Sequence, residues 1–135
     1  MRHALHLLVS ALILAATVPA AAGEFATLKD EIVTARQALV TMVLYRDKRG
    51  PEQQRTVKAT ADAVSARLTR LKAPEGRVAE FRELKSTWEA FKQTREKELV
   101  PAILVHDREK YELIGAGIQK QRLDRMYALL AVLDR

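Results

Sequence analysis

The chain has 135 residues and no cysteine; 48% of its residues are hydrophobic, 30% are charged, and its formal net charge is +6. That length holds one domain rather than two, and the absence of thiols excludes disulfide staples, thiol nucleophiles, zinc-thiolate sites and covalently attached haem. The positive charge by itself suits nucleic acid, a membrane surface, small anions or plain solubility.

Residues 1–22 read as an export signal. Arg2 supplies a short positive head, Leu7 to Ala16 is apolar apart from Ser10, Pro19 breaks the run, and Ala20, Ala21 and Ala22 are the small residues a signal peptidase reads. Cleavage after Ala22 would leave residues 23–135 as a single periplasmic domain with no membrane span. The alternative is an uncleaved N-terminal anchor, because residues 4–22 are nearly long enough to cross a bilayer.

The first helix is expected over residues 24–49. Phe25, Leu28, Ile32, Ala35, Leu39 and Met42 follow the alternating three- and four-residue spacing of a bundle seam. Arg46, Lys48 and Arg49 fall in its last turn, where cations suit the negative end of the helix dipole. Gly50 followed by Pro51 reads as a stop and a start. The second helix is expected to about residue 72, with its stripe on Val57, Ala61, Val64, Leu68 and Leu71, and Pro74 and Gly76 end it.

The third helix begins near Arg77, with Val78, Phe81, Leu84, Trp88 and Phe91 facing the core. Pro101, late in this helix, predicts a kink or an early end. Asp107 reads as the N-cap of the fourth helix. Tyr111, Ile114 and Ile118 begin its stripe, and Met126, Leu130 and Leu133 finish it after a slip in phase. Short connections between long helices predict an all-α, antiparallel, up-down-up-down four-helix bundle.

Residues with catalytic or ligating chemistry are sparse. His106 is the one histidine outside the export segment, and it reads as a solvated turn residue. Ser65 and Ser86 have no activating partner in the pattern, and no Glu-x-x-His pair suggests a di-iron site. A b-type haem would need Met42 and His106 on facing helices, which their positions fit poorly. The sequence therefore assigns no catalytic residue, no metal ligand and no cofactor, and predicts a non-enzyme. Basic residues are interleaved with acids, as in Lys85 and Glu89 or Lys92 and Glu96, which argues against a nucleic-acid face.

One cluster stands apart. Arg46 and Arg95 continue apolar stripes into inward positions at a similar height, Arg55 falls near that level, and the fourth helix holds Gly115 and Gly117 there. Each interior glycine costs about 1 kcal/mol against alanine and clears space. Arginines beside cleared space could bind a small organic anion, since guanidinium pairs with carboxylate through two hydrogen bonds. Two other readings stay open. The arginines could reach out to water while the glycines let helices approach, or Arg95 could pair internally with Glu98, one turn away.

The second half resembles a known pattern. Phe81-Arg-Glu-Leu-Lys-Ser-Thr-Trp-Glu-Ala-Phe runs on to Arg95 and to Glu98-Leu-Val-Pro-Ala, then to His106-Asp-Arg-Glu before a last helix with a small-residue break. This is similar to the periplasmic four-helix-bundle sensor domain of methyl-accepting chemotaxis receptors, with the likeness extending over most of residues 25–135. The second membrane helix, linker and cytoplasmic signalling hairpin of such receptors are not written in these residues. The resemblance therefore implies a free-standing sensor-like module that binds a small ligand or a helical partner, including a second copy of itself. It carries over no specific ligand residue. A purely structural or interaction bundle without a small ligand is the alternative, and a b-type haem carrier a weaker one.

Overall fold

The computed structural model describes residues 23–135; residues 1–22, which carry the expected export signal, lie outside the described residues. The described chain is all-helical, with four helices, two of them interrupted by a wider π turn.

Helix α1 (Glu24–Leu44) stops short of the expected residue 49. Tyr45 turns extended and Arg46–Lys48 forms a single 3-10 turn. Arg49 explains the stop. Its guanidinium folds back so that Nε donates to the Met42 carbonyl at 2.6 Å and Nη2 to the Val43 carbonyl at 3.1 Å. The last carbonyls of a helix have no partner within it, and a cation there also meets the negative end of the dipole. Arg49 Nη1 reaches across to the Ile103 carbonyl at 3.1 Å, so one side chain closes two helix ends.

Helix α2 (Pro51–Arg70) starts on its proline and ends one residue before Leu71, whose extended backbone leads into the turn containing Pro74. Helix α3 (Val78–Thr94) passes through a π turn, Arg95–Leu99, into a short helix α4 (Val100–Leu104). The expected disturbance at Pro101 takes this form. Pro101 offers no N–H to the carbonyl four residues back, and the turn just before it widens so that the Val100 N–H donates to the Arg95 carbonyl instead.

Asp107 caps helix α5 (Arg108–Ile114) as expected, with Oδ1 accepting from the Lys110 N–H at 3.1 Å. A second π turn, Gly115–Gln119, joins α5 to helix α6 (Lys120–Leu133), and Gly117 inside it leaves helical geometry altogether. This turn is the expected slip in phase, and it corrects the stripe. One extra residue rotates the rest of the helix by about 100°, so Ile118 is 45% exposed and Gln119 is buried in its place.

The core forms two layers. The larger holds Phe25, Leu28, Ile32, Val64, Leu68, Phe81, Leu84, Trp88, Phe91, Met126, Leu130 and Leu133. Phe25 and Phe81 meet edge to face at 6.1 Å, and Trp88 Nε1 donates to Ser65 Oγ at 2.9 Å. The smaller layer holds Ala38, Leu39, Met42, Val57, Leu99 and Ile103. Two-pronged ion pairs tie neighbouring helices outside the core: Arg67 to Glu31, and Arg125 to Glu83, each at 2.7 and 2.8 Å.

Candidate functional site

The five residues singled out from the sequence do not form one site. Arg46 is exposed on the 3-10 turn, because α1 ends before the heptad can carry it inward. The arginine that turns inward at that end is Arg49, whose cation also lies 5.8 Å above the Tyr111 ring. Arg95 does face inward and is 1% exposed. Arg55 is exposed on α2 and shares with Arg95, Lys58 and Glu96 an open cleft of about 520 Å³. Gly115 belongs to a different groove, and Gly117 is half-buried beside it.

Arg95 sits where the two core layers meet. Nη1 donates to the Ala35 carbonyl of α1 at 2.8 Å and Nη2 to the Val57 carbonyl of α2 at 2.9 Å. Neither Glu98 nor any other carboxylate bonds to it, and Nε is buried without a partner. Burial pulls its pKa down from the ordinary arginine value to about 10, against a small opposing pull from Glu96. Arg95 is thus a cationic tie between α1, α2 and α3, made through helix carbonyls.

The better-formed concavity lies between α1 and the α5–α6 limb, with a volume of about 740 Å³. Leu39, Val40 and Val43 from α1, Phe91 and Leu99 from the α3 limb, and Leu123 from α6 give it an apolar floor. Tyr111 and Tyr127 stand at its ends, the second with Lys29 5.5 Å above its ring. Burial pushes the Tyr127 phenol up, while Arg36 pulls it the other way. Arg36, Glu112, Lys120 and Asp124 form the charged part of the lining.

Gly115 lines this groove through the π turn. A Cβ added there would meet nothing within 4 Å, and its backbone, φ −65° and ψ −43°, is ordinary helix. The glycine therefore serves no close helix approach; it leaves room. Gln119, just below, is 4% exposed and fixes the floor: Nε2 donates to the Phe91 carbonyl at 2.9 Å, and Oε1 accepts from Arg122 at 3.0 Å. Sequence reasoning missed Gln119 because it sits one position after an apolar residue that continued the expected stripe.

His106 is more than a solvated turn residue. Its backbone is left-handed, with φ 59°, and its Nδ1 lies 2.6 Å from Arg49 Nη1. Arginine can only donate, so Nδ1 accepts and the ring proton sits on Nε2. Among the described residues no group of three or more His, Cys, Asp or Glu side chains could hold a metal ion, and no helix is long and apolar enough to cross a membrane. No family model, no curated protein and no solved structure matches this chain.

Proposed function

We propose that the chain is an exported, non-enzymatic, sensor-like module of the periplasm. In this reading it is an antiparallel up-down-up-down bundle that binds a small organic ligand in the groove between α1 and α5–α6. The antiparallel order is supported by the bonded pairs. Partners of Glu31 and Ala38 on α1 fall from Arg67 to Gln53 on α2. Partners of Glu83 and Phe91 on α3 likewise fall from Arg125 to Gln119 at the fourth helix.

The observation that carries the ligand reading is Gly115. A helix-interior glycine costs about 1 kcal/mol against alanine. Here no neighbour within 4 Å requires it. What it leaves open is a mostly apolar groove of ligand size, since small-molecule sites run from about 300 to 1,000 Å³. A bundle with a purely structural role gains nothing from that space. The resemblance to chemoreceptor sensor domains favours the same reading, with ligand binding feeding signal transduction through a partner.

A second reading, docking to a helical partner or a second copy, draws on Leu113, Val105 and Leu44, which are 74%, 73% and 66% exposed. A thermal-shift screen against small organic acids and neutral analogues separates the two. Ligand-dependent stabilisation that Gly115→Leu abolishes supports the groove. No shift at millimolar ligand would leave the partner reading ahead. The export part is checked on protein from the periplasm, which should begin at Gly23 or Glu24; an intact Met1 held in the inner membrane refutes it.

A further inference from the structure

We infer that the ligand of the α1/α5–α6 groove is an amphiphile with one carboxylate head and an alkyl or aryl body, and that Arg36 receives the head. The inference rests on the groove being a ligand site and names the class of molecule it takes.

The charges at the groove are the starting point. Lys120 is committed to Asp124 at 2.6 Å, and Glu112 to Arg108 at 2.7 Å. Among the described residues, Arg36 is the charged lining group with no hydrogen bond or ion pair to another side chain. The groove therefore offers one uncommitted charge, and it is positive. A cationic ligand would have to share an acid that already carries a partner.

The floor decides the rest. Leu39, Phe91, Leu99 and Leu123 present hydrocarbon, not donors, to the same groove as Arg36. A compact diacid such as malate could satisfy one carboxylate on Arg36, but its second would meet no further uncommitted cation and would face the floor, the Lys120–Asp124 pair or water. Desolvating it without a partner is unfavourable. An alkyl or aryl body instead removes its own apolar surface and that of the floor from water. The phenols of Tyr111 and Tyr127 flank such a body with polar tips and apolar rings. A hydrocarbon body with a single anionic head thus matches both the one open cation and the apolar floor.

The test is calorimetric titration of the full domain, residues 23–135, with octanoate, octanamide and malate, on wild type, Arg36→Gln and Gly115→Leu. Octanoate should bind wild type at least about tenfold more tightly than malate. Arg36→Gln should weaken octanoate about three- to tenfold, the range of a partly exposed charge-assisted contact, and leave octanamide unchanged. Gly115→Leu, whose Cβ enters open space, should abolish octanoate binding, and an unchanged circular dichroism spectrum and cooperative melting check that the variant is folded. Equal affinity for octanoate and octanamide, or an Arg36→Gln variant that binds octanoate like wild type, overturns the head-group assignment while the groove reading survives. No binding of any probe to wild type defeats both. Sedimentation that reveals a dimer dissolved by Gly115→Leu but not by octanoate also overturns the inference, since a second copy would then fill the groove.

Discussion

Replacing Arg95 with methionine should change stability little, although it removes two short hydrogen bonds from the middle of the molecule. Burial holds the guanidinium near pKa 10, more than two units below the ordinary arginine value. At 1.36 kcal/mol per pKa unit that is a desolvation cost of about 3 kcal/mol. Opposing it are the bonds to the Ala35 and Val57 carbonyls at 2.8 and 2.9 Å, each worth about 1.5–3 kcal/mol for a charged donor. The carbonyls lie inside helices and keep their helical partners when the arginine leaves, so little unmet polarity remains. Arg95→Met keeps the length and the apolar stem. It should therefore shift the unfolding free energy by less than about 2 kcal/mol in either direction. Arg95→Ala opens a void and should cost about 2–5 kcal/mol. The pH dependence carries a sign. The folded pKa of this base is depressed, so from about pH 10 up to the ordinary arginine value the unfolded chain holds more protons than the folded one. Stability relative to Arg95→Met should be flat below that window and rise for wild type as pH climbs into it. Urea titrations of the three proteins at neutral pH and near pH 10.5 measure both effects. A loss above about 4 kcal/mol in Arg95→Met, or a wild-type advantage that shrinks with rising pH, would refute this balance.

Two further predictions concern single side chains. Trp88 is 2% exposed and bonded to Ser65, so Trp88→Ala should cost about 3–5 kcal/mol in a chemical denaturation curve; a loss below about 1 kcal/mol would contradict its place in the core. Gly115→Ala adds a methyl where nothing lies within 4 Å and should raise stability by about 0.5–1 kcal/mol, seen as a higher thermal midpoint. A loss of stability there would mean that the groove closes over Gly115 in solution.

Most core positions were legible because burial imposes a period; Val78 and Ile118, placed on the stripes, are instead 56% and 45% exposed. Phe25, Leu28, Ile32, Val64, Leu68, Phe81, Leu84, Trp88, Met126 and Leu130 are all buried where the stripes put them. The chain punctuation at Gly50-Pro51 and Asp107 was legible for a similar reason: these residues act on the backbone next to them, without help from distant contacts. Ends set by tertiary contacts were not. Nothing local says that α1 should stop at Leu44; the stop belongs to Arg49, whose other partners, Ile103 and His106, lie more than fifty residues away in sequence. The same error misplaced Arg46, since a heptad extrapolated past the true end of a helix assigns a face to a residue that is no longer helical. Arg95 was placed inward correctly and given the wrong partners. A sequence offers carboxylates as candidates for a buried cation, and the backbone carbonyls that bind it here leave no mark in residue types.

The two π turns account for most of what remains, and they link the fold to the groove. Each inserts a residue into a helix and changes which face looks inward. In the α3–α4 limb Arg95 faces inward on the regular spacing from Phe91, and beyond the widened turn Leu99 and Ile103 join the smaller layer. In the α5–α6 limb it turns Ile118 out and Gln119 in. Gln119 then bonds the Phe91 carbonyl at the end of α3, so the two interrupted limbs are joined close to both π turns. A regular helix through residues 115–119 would present Ile118 to the core, in line with Tyr111 and Ile114, and the stripe would fill the space beside Leu39 and Val43. With the π turn the apolar stripe is broken there, and Gly115 and Ala116 line the gap. The groove is thus the geometric remainder of a phase shift, and a Cβ at Gly115 would still meet nothing within 4 Å there. The open gap beside an uncommitted Arg36 is the feature on which the proposed ligand site rests.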